Sequence, residues 1–122
     1  MPKPFESEYQ NFINNYKKTA VSSEDIGLLI SRLAQYYADA NNTLVSKEEK
    51  LNRKYAELAN STDESTMKAI SMAKCDIIIK DSDVYREAAI AKADLQNIEV
   101  YINSLKTLQR GILAEQQMSG GI

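Results

Sequence analysis

Histidine and tryptophan are absent from this 122-residue chain, and cysteine occurs once, as Cys75. Without histidine the chain lacks the commonest general base and the commonest metal ligand. A single thiol allows no internal disulfide and no thiolate cluster, and with no imidazole to activate it Cys75 reads as a small packed side chain. Two prolines and four glycines exclude a loop-rich or low-complexity chain. The glycines, Gly27, Gly111, Gly120 and Gly121, are too scattered to build a phosphate-binding loop. Apolar runs such as Leu28-Leu29-Ile30 fall far short of the roughly 20 residues that a membrane span needs. A large excess of positive charge is missing too: 15 Lys and Arg face 17 Asp and Glu, giving a net charge of −2. Any contact with a polyanion must therefore come from a local patch. The polar residues Glu6, Ser7, Glu8, Gln10 and Asn11 predict neither a signal-peptide core nor an anchor near the start, and the expected location is cytoplasmic, away from membranes.

What the chain has in quantity is helical periodicity. Phe5, Tyr9, Phe12, Ile13 and Tyr16 share one face of a short helix ending near Lys17-Lys18, and a hinge follows at 19–23. Ser22 with Asp25, or Ser23 with Glu24 and Asp25, starts a second helix that runs to about residue 60 and is roughly 50 Å long. Along it Ile30, Tyr37, Leu44, Leu51 and Leu58 recur every seventh residue, with Ile26, Leu33 and Ala40 between them, the spacing of a coiled-coil seam. The second row then turns basic at Lys47 and Lys54. The polar run 60–65 interrupts the pattern, and a helical stripe of Met67, Ile70, Ala73 or Lys74, and Ile77 is expected to restart there, with the conformation of Ile77-Ile78-Ile79 left open between helix and extended chain. The capping cluster Lys80-Asp81-Ser82-Asp83 precedes a last long helix. It carries Val84, Ala91, Ile98, Leu105 and Ile112 in one row and Ala88, Leu95 and Ile102 in the other, with Gln109 as an interruption. The fold class predicted is all-α, an elongated antiparallel helical hairpin or bundle that oligomerises: residues 1–22 form a short helix and hinge, 23–118 the bundle, and 119–122 a flexible tail. Because one chain is too short to cover both seams, Leu95, Ile98, Ile102 and Leu105 are the expected oligomer interface.

No catalytic constellation emerges. Ser71 and Lys74 match S-x-x-K without its companion motifs, and the carboxylate pairs Glu48-Glu49 and Asp63-Glu64 lie among lysines or at a cap. The distinctive segment is 47–55. Lys47, Lys50 and Lys54 fall along one side of a helix with Arg53 adjacent and Tyr55 nearby, an arrangement that follows phosphates while a tyrosine stacks on a base. Lys68 and Lys74 extend the patch if the chain doubles back at 60–65. The same residues also fit a solvated face in which Glu49 pairs with Arg53 and lysine stems cover apolar surface.

The order of these features, with a long helix ending in the basic stretch 47–55, a polar turn, Ser65-Thr66-Met67-Lys68 leading through Ala73-Lys74 to Lys80-Asp81, and a final helix, resembles the UvsY-type recombination mediators of tailed bacteriophages over 34–114. The resemblance implies an all-helical protein that forms rings, binds single-stranded DNA, and helps a RecA-like recombinase displace single-strand-binding protein in a phage-infected bacterial host. It also implies that Asn52-Arg53-Lys54 stands where that family carries a Lys-Ala-Arg type DNA-binding motif. The expected function is accordingly a non-enzymatic recombination accessory that needs no cofactor or metal. The alternative is a phage-encoded helical adaptor, inhibitor or virion assembly component that never touches DNA.

Overall fold

A computed structural model describes residues 3–16 and 21–120, and all of its regular elements are helices: α1 (Pro4–Tyr16), α2 (Ser23–Ala59), α3 (Met72–Lys80) and α4 (Asp83–Gly120). The all-α expectation is met. The basic pair Lys17-Lys18 and the first two residues of the expected hinge, 19 and 20, lie outside the described residues, as does the end of the expected tail at 121–122. α4 itself continues through Gly120, beyond the boundary expected at 118. No helix among the described residues is long and apolar enough to cross a membrane.

Two compact units share the long helices. Unit 1 comprises residues up to 39 and from 96 onward; unit 2 comprises 40–95. In unit 1, α2 begins at the reciprocal cap read from the sequence: Asp25 N–H donates to Ser22 Oγ at 3.2 Å, and Ser22 N–H donates to Asp25 Oδ2 at 3.4 Å. Each bond satisfies an amide that the first helical turn leaves without a partner. The core consists of Phe5, Ile26, Leu29, Leu33, Ile98 and Leu105. Phe5 brings α1 onto the pair of long helices, its ring centroid 6.3 Å from Tyr36 and 6.2 Å from Tyr101, and Tyr9 stacks on Tyr101 at 4.2 Å. An ion pair of 3.4 Å between Glu8 and Arg32 joins α1 to α2.

Three expectations change in unit 1. Leu29, which falls outside the heptad rows, is 2% exposed, whereas Ile30 of the main row is only half-buried. The reason is that α1 covers α2 from one side, which turns the buried stripe to Ile26, Leu29 and Leu33. Gln109 is not an idle interruption: its Nε2 donates to the Ser23 carbonyl at 2.9 Å. Ile98 and Leu105 are enclosed by their own chain, at 0% and 1% exposure, and so are core residues with no surface to offer a second copy. Leu95 and Ile102 are half-buried.

In unit 2 the core is Cys75, Ile79, Ala88 and Ala91, flanked by half-buried Leu44, Leu51, Leu58 and Ile78. Helix does not restart at 61–65. Thr62 and Ala69 instead form an isolated antiparallel bridge, Met67 takes a φ of 58°, and α3 begins only after Ser71, whose Oγ accepts from Lys74 N–H at 3.2 Å. Side-chain competition explains the delay. Asp63 Oδ1 accepts from both the backbone N–H and the hydroxyl of Ser65, at 3.0 and 2.7 Å, which favours a turn over the helix ladder. The isoleucine run 77–79 lies inside α3, where Ile79 is buried and Ile77 exposed. Ser82 ends this element and caps the next: its hydroxyl donates to Ile79 O at 2.6 Å and accepts from Tyr85 N–H at 3.3 Å.

Candidate nucleic-acid interface

The residues expected to meet a polyanion, Lys47, Lys50, Arg53, Lys54, Tyr55, Lys68 and Lys74, all belong to unit 2. Their surroundings divide them. Lys47 Nζ donates to Glu87 Oε2 on α4 at 3.0 Å, and this hydrogen bond, helped by the charges of Lys47 and Lys50, holds the Glu87 carboxyl below its ordinary pKa. The basic turn of the α2 seam is thus a pairing device between two helices. A lysine at a seam position is acceptable there because its stem packs against apolar surface while the ammonium reaches a carboxylate at the edge.

Lys74 is engaged more tightly. Its ammonium lies 2.6 Å from Asp63 Oδ2, and with the two Ser65 bonds it lowers the Asp63 pKa to about 2. A single carboxylate therefore organises the turn at 63–65 and ties it to the first turn of α3. Tyr55 is half-buried beside Asp76, Tyr85 and Cys75, and its phenol pKa is raised, first by burial and then by the Asp76 carboxylate. An aromatic face packed in this way is not a free stacking platform.

Lys50, Arg53 and Lys68 are exposed, and Lys54 is half-buried at the margin of the α2 face. The helical spacing of Lys50, Arg53 and Lys54 sets three cations within about one turn, flanked by Glu49 and Glu57, each four residues from Arg53. The flank has mixed charge with a cationic centre. Such a surface attracts phosphate at short range and loses that attraction steeply with salt.

Sequence reasoning missed two features of unit 2. The carboxylates that occupy Lys47 and Lys74 lie 40 and 11 residues away along the chain, and nothing in the local pattern of α2 points to Glu87. The other is an apolar outer surface on α3 and the preceding loop, where Met67, Met72 and Ile77 are 79%, 76% and 70% exposed. The helical stripe through Met67 and Ile77 is not the buried side of this region; Cys75 and Ile79, on the other side of α3, are. Among the described residues no three Cys, Asp or Glu converge to hold a metal ion. Comparison of the chain with protein-family models, curated proteins and solved structures returns no match.

Proposed function

We propose that this chain acts without catalysis as a single-stranded-DNA-binding accessory of recombination, assisting a RecA-like recombinase against single-strand-binding protein in the cytoplasm of a phage-infected bacterium. The observation that supports this reading is the exposed cationic flank of α2, Lys50 and Arg53 with Lys54 at its margin. The reading narrows the contacting set. Lys47 and Lys74 already serve carboxylates and Tyr55 is packed, so phosphates are met by Lys50, Arg53 and Lys54, with Lys68 on the neighbouring loop. Four cations on a chain of net charge −2 bind weakly, and useful affinity comes from several copies contacting one strand together.

The test is fluorescence anisotropy of a labelled single-stranded oligonucleotide across a salt series. Four neutralised phosphates give a log-log slope of about −3 per bound copy, at about −0.7 each. Replacing Lys50, Arg53 and Lys54 together by Ala flattens that slope with helicity unchanged, whereas Lys47→Ala leaves it nearly as it was. Absence of binding by the wild-type protein at low salt refutes the reading.

The exposed Met67, Met72 and Ile77 favour a second reading, a helical adaptor that docks a protein partner on α3. Under it, Met72→Ser with Ile77→Ser abolishes partner binding, and the Arg53 and Lys54 substitutions have no effect on DNA because none is bound.

A further inference from the structure

In unit 1 the long helices run antiparallel, since Ser23 meets Gln109 at one level and Phe5 bridges Tyr36 and Tyr101 at another, and α1 covers one side of the pair through Phe5 and Tyr9. The other side holds an open concavity of about 290 Å³. Its apolar floor is Ile30, Ala34 and Tyr37 of α2 with Ile102 of α4, and its α4 rim carries Glu99 and Lys106. Ile30 and Ile102 are half-buried while Ala34 and Tyr37 are exposed, so the floor is in contact with solvent.

We infer that the occupant of this groove is a second copy of the chain, related by a two-fold axis that crosses both long helices at right angles and sets each against its own counterpart in antiparallel register. The inference rests on the several-copy part of the proposed function and specifies the surface. A two-fold interface must be self-complementary, each residue meeting a partner that it would also meet in reverse. The groove has that property in both helices. Glu99 and Lys106 have opposite charges, are seven residues apart and are therefore on one face, and are centred between positions 102 and 103. Antiparallel apposition about that centre sets Glu99 against Lys106 of the second copy, and Lys106 against its Glu99. On α2, Ile30 and Tyr37 are likewise seven apart and centred between 33 and 34, so isoleucine meets tyrosine twice. At the middle stands Ala34, small enough for two helices to approach closely, beside Ile102. A parallel arrangement would put Glu99 on Glu99 and Lys106 on Lys106, which the charges forbid.

Sedimentation velocity of the full chain without DNA, over a concentration series at low salt, tests this directly. Wild type dimerises. Glu99→Lys alone confronts lysine with lysine at both symmetry-related sites, and Lys106→Glu alone confronts glutamate with glutamate. Each raises the dissociation constant by at least about tenfold. The double exchange Glu99→Lys with Lys106→Glu restores association, and an equimolar mixture of the two single variants forms a mixed dimer that neither forms alone. Ala34→Glu, which places two carboxylates across the axis, also dissociates the dimer. All of these positions are exposed in the single chain, so circular dichroism of the variants remains helical. A wild type that is monomeric at about 100 µM overturns the inference, and salt-dependent binding of the oligonucleotide by that same monomer would leave the proposed function standing. A wild type that associates but ignores all the charge variants overturns this surface alone.

Discussion

Gly111 lies inside α4, exposed, and a methyl group built at its Cα has no neighbouring atom within 4 Å. Replacing it by alanine therefore changes no packing and tests the helix itself. Glycine in a helix interior is about 1 kcal/mol less favourable than alanine, because it has more backbone freedom to lose on folding. Gly111→Ala should thus stabilise the protein by about 0.5–1 kcal/mol, partly through a more restricted unfolded chain. With an unfolding entropy of about 2.1 cal/mol/K per residue, a chain of this length gains about 4 °C in Tm for each kcal/mol. The expected rise is therefore about 2–4 °C, read by circular dichroism at fixed protein concentration, with an unchanged dependence on urea. Gly27→Ala is the internal comparison. Its new methyl would sit 3.4 Å from Gln109 Nε2, ordinary contact distance, so the gain should be smaller because the amide must keep its bond to Ser23. A fall in Tm for Gly111→Ala would refute the reasoning, since it would mean that position 111 is not open helix or that another molecule packs on it.

Ile98→Ala should cost about 2–5 kcal/mol by urea denaturation, the range for emptying a fully buried aliphatic site, and a cost independent of protein concentration separates a core residue from an interface one. Met67→Gly should stabilise by up to about 1 kcal/mol, because Met67 holds a φ of 58° while its side chain is largely exposed, and a loss would refute that backbone assignment. The Asp63 carboxyl, with a folded pKa of about 2 against an ordinary 3.8, contributes stability that is fully present above about pH 4 and is lost as the pH falls through 2. Hydrogen exchange of the amides of Ser65 and Met67 should accelerate over that window in the wild type and show no such step in Asp63→Asn.

The parts of the fold that were legible in the sequence are those specified by neighbours in the chain. Ser22 with Asp25 announced the start of α2, the 80–83 cluster announced the joint at which Ser82 caps α4, and the small-residue positions Ala88 and Ala91 are buried as their row implied. Side chains decided by distant partners were not legible. Leu29 rather than Ile30 is buried because a separate helix, α1, covers α2 from one side, and a seven-residue repeat carries no record of that. The interruption at 60–65 is legible in its polar run, but the helical spacing of Met67 and Ile70 points to a helix that begins too early, while the competing signal is one carboxylate, Asp63, able to satisfy Ser65 and Lys74 at once. The candidate site suffered for the same reason. Spacing on α2 grouped the lysines correctly by face, yet which of them remain available depends on Glu87 and Asp63, residues that the pattern of α2 does not include.

The division of the chain has a bearing on the order of events during synthesis. Unit 2 is one continuous segment, 40–95, so every partner its core needs has been made by the time residue 95 is joined. Unit 1 is split between the two ends: Phe5 waits for Tyr101, and Ser23 for Gln109, 86 residues later. Closing so long an intervening stretch from a free chain is slow and entropically costly, but the cost falls if 40–95 has already folded and so shortened the loop that must close. A nascent chain is then expected to leave α1 and the first half of α2 without their apolar partners until Ile98 and Leu105 have been made. That makes the segment up to residue 39 the part most dependent on prompt synthesis of 96–109, or on a chaperone, to escape aggregation.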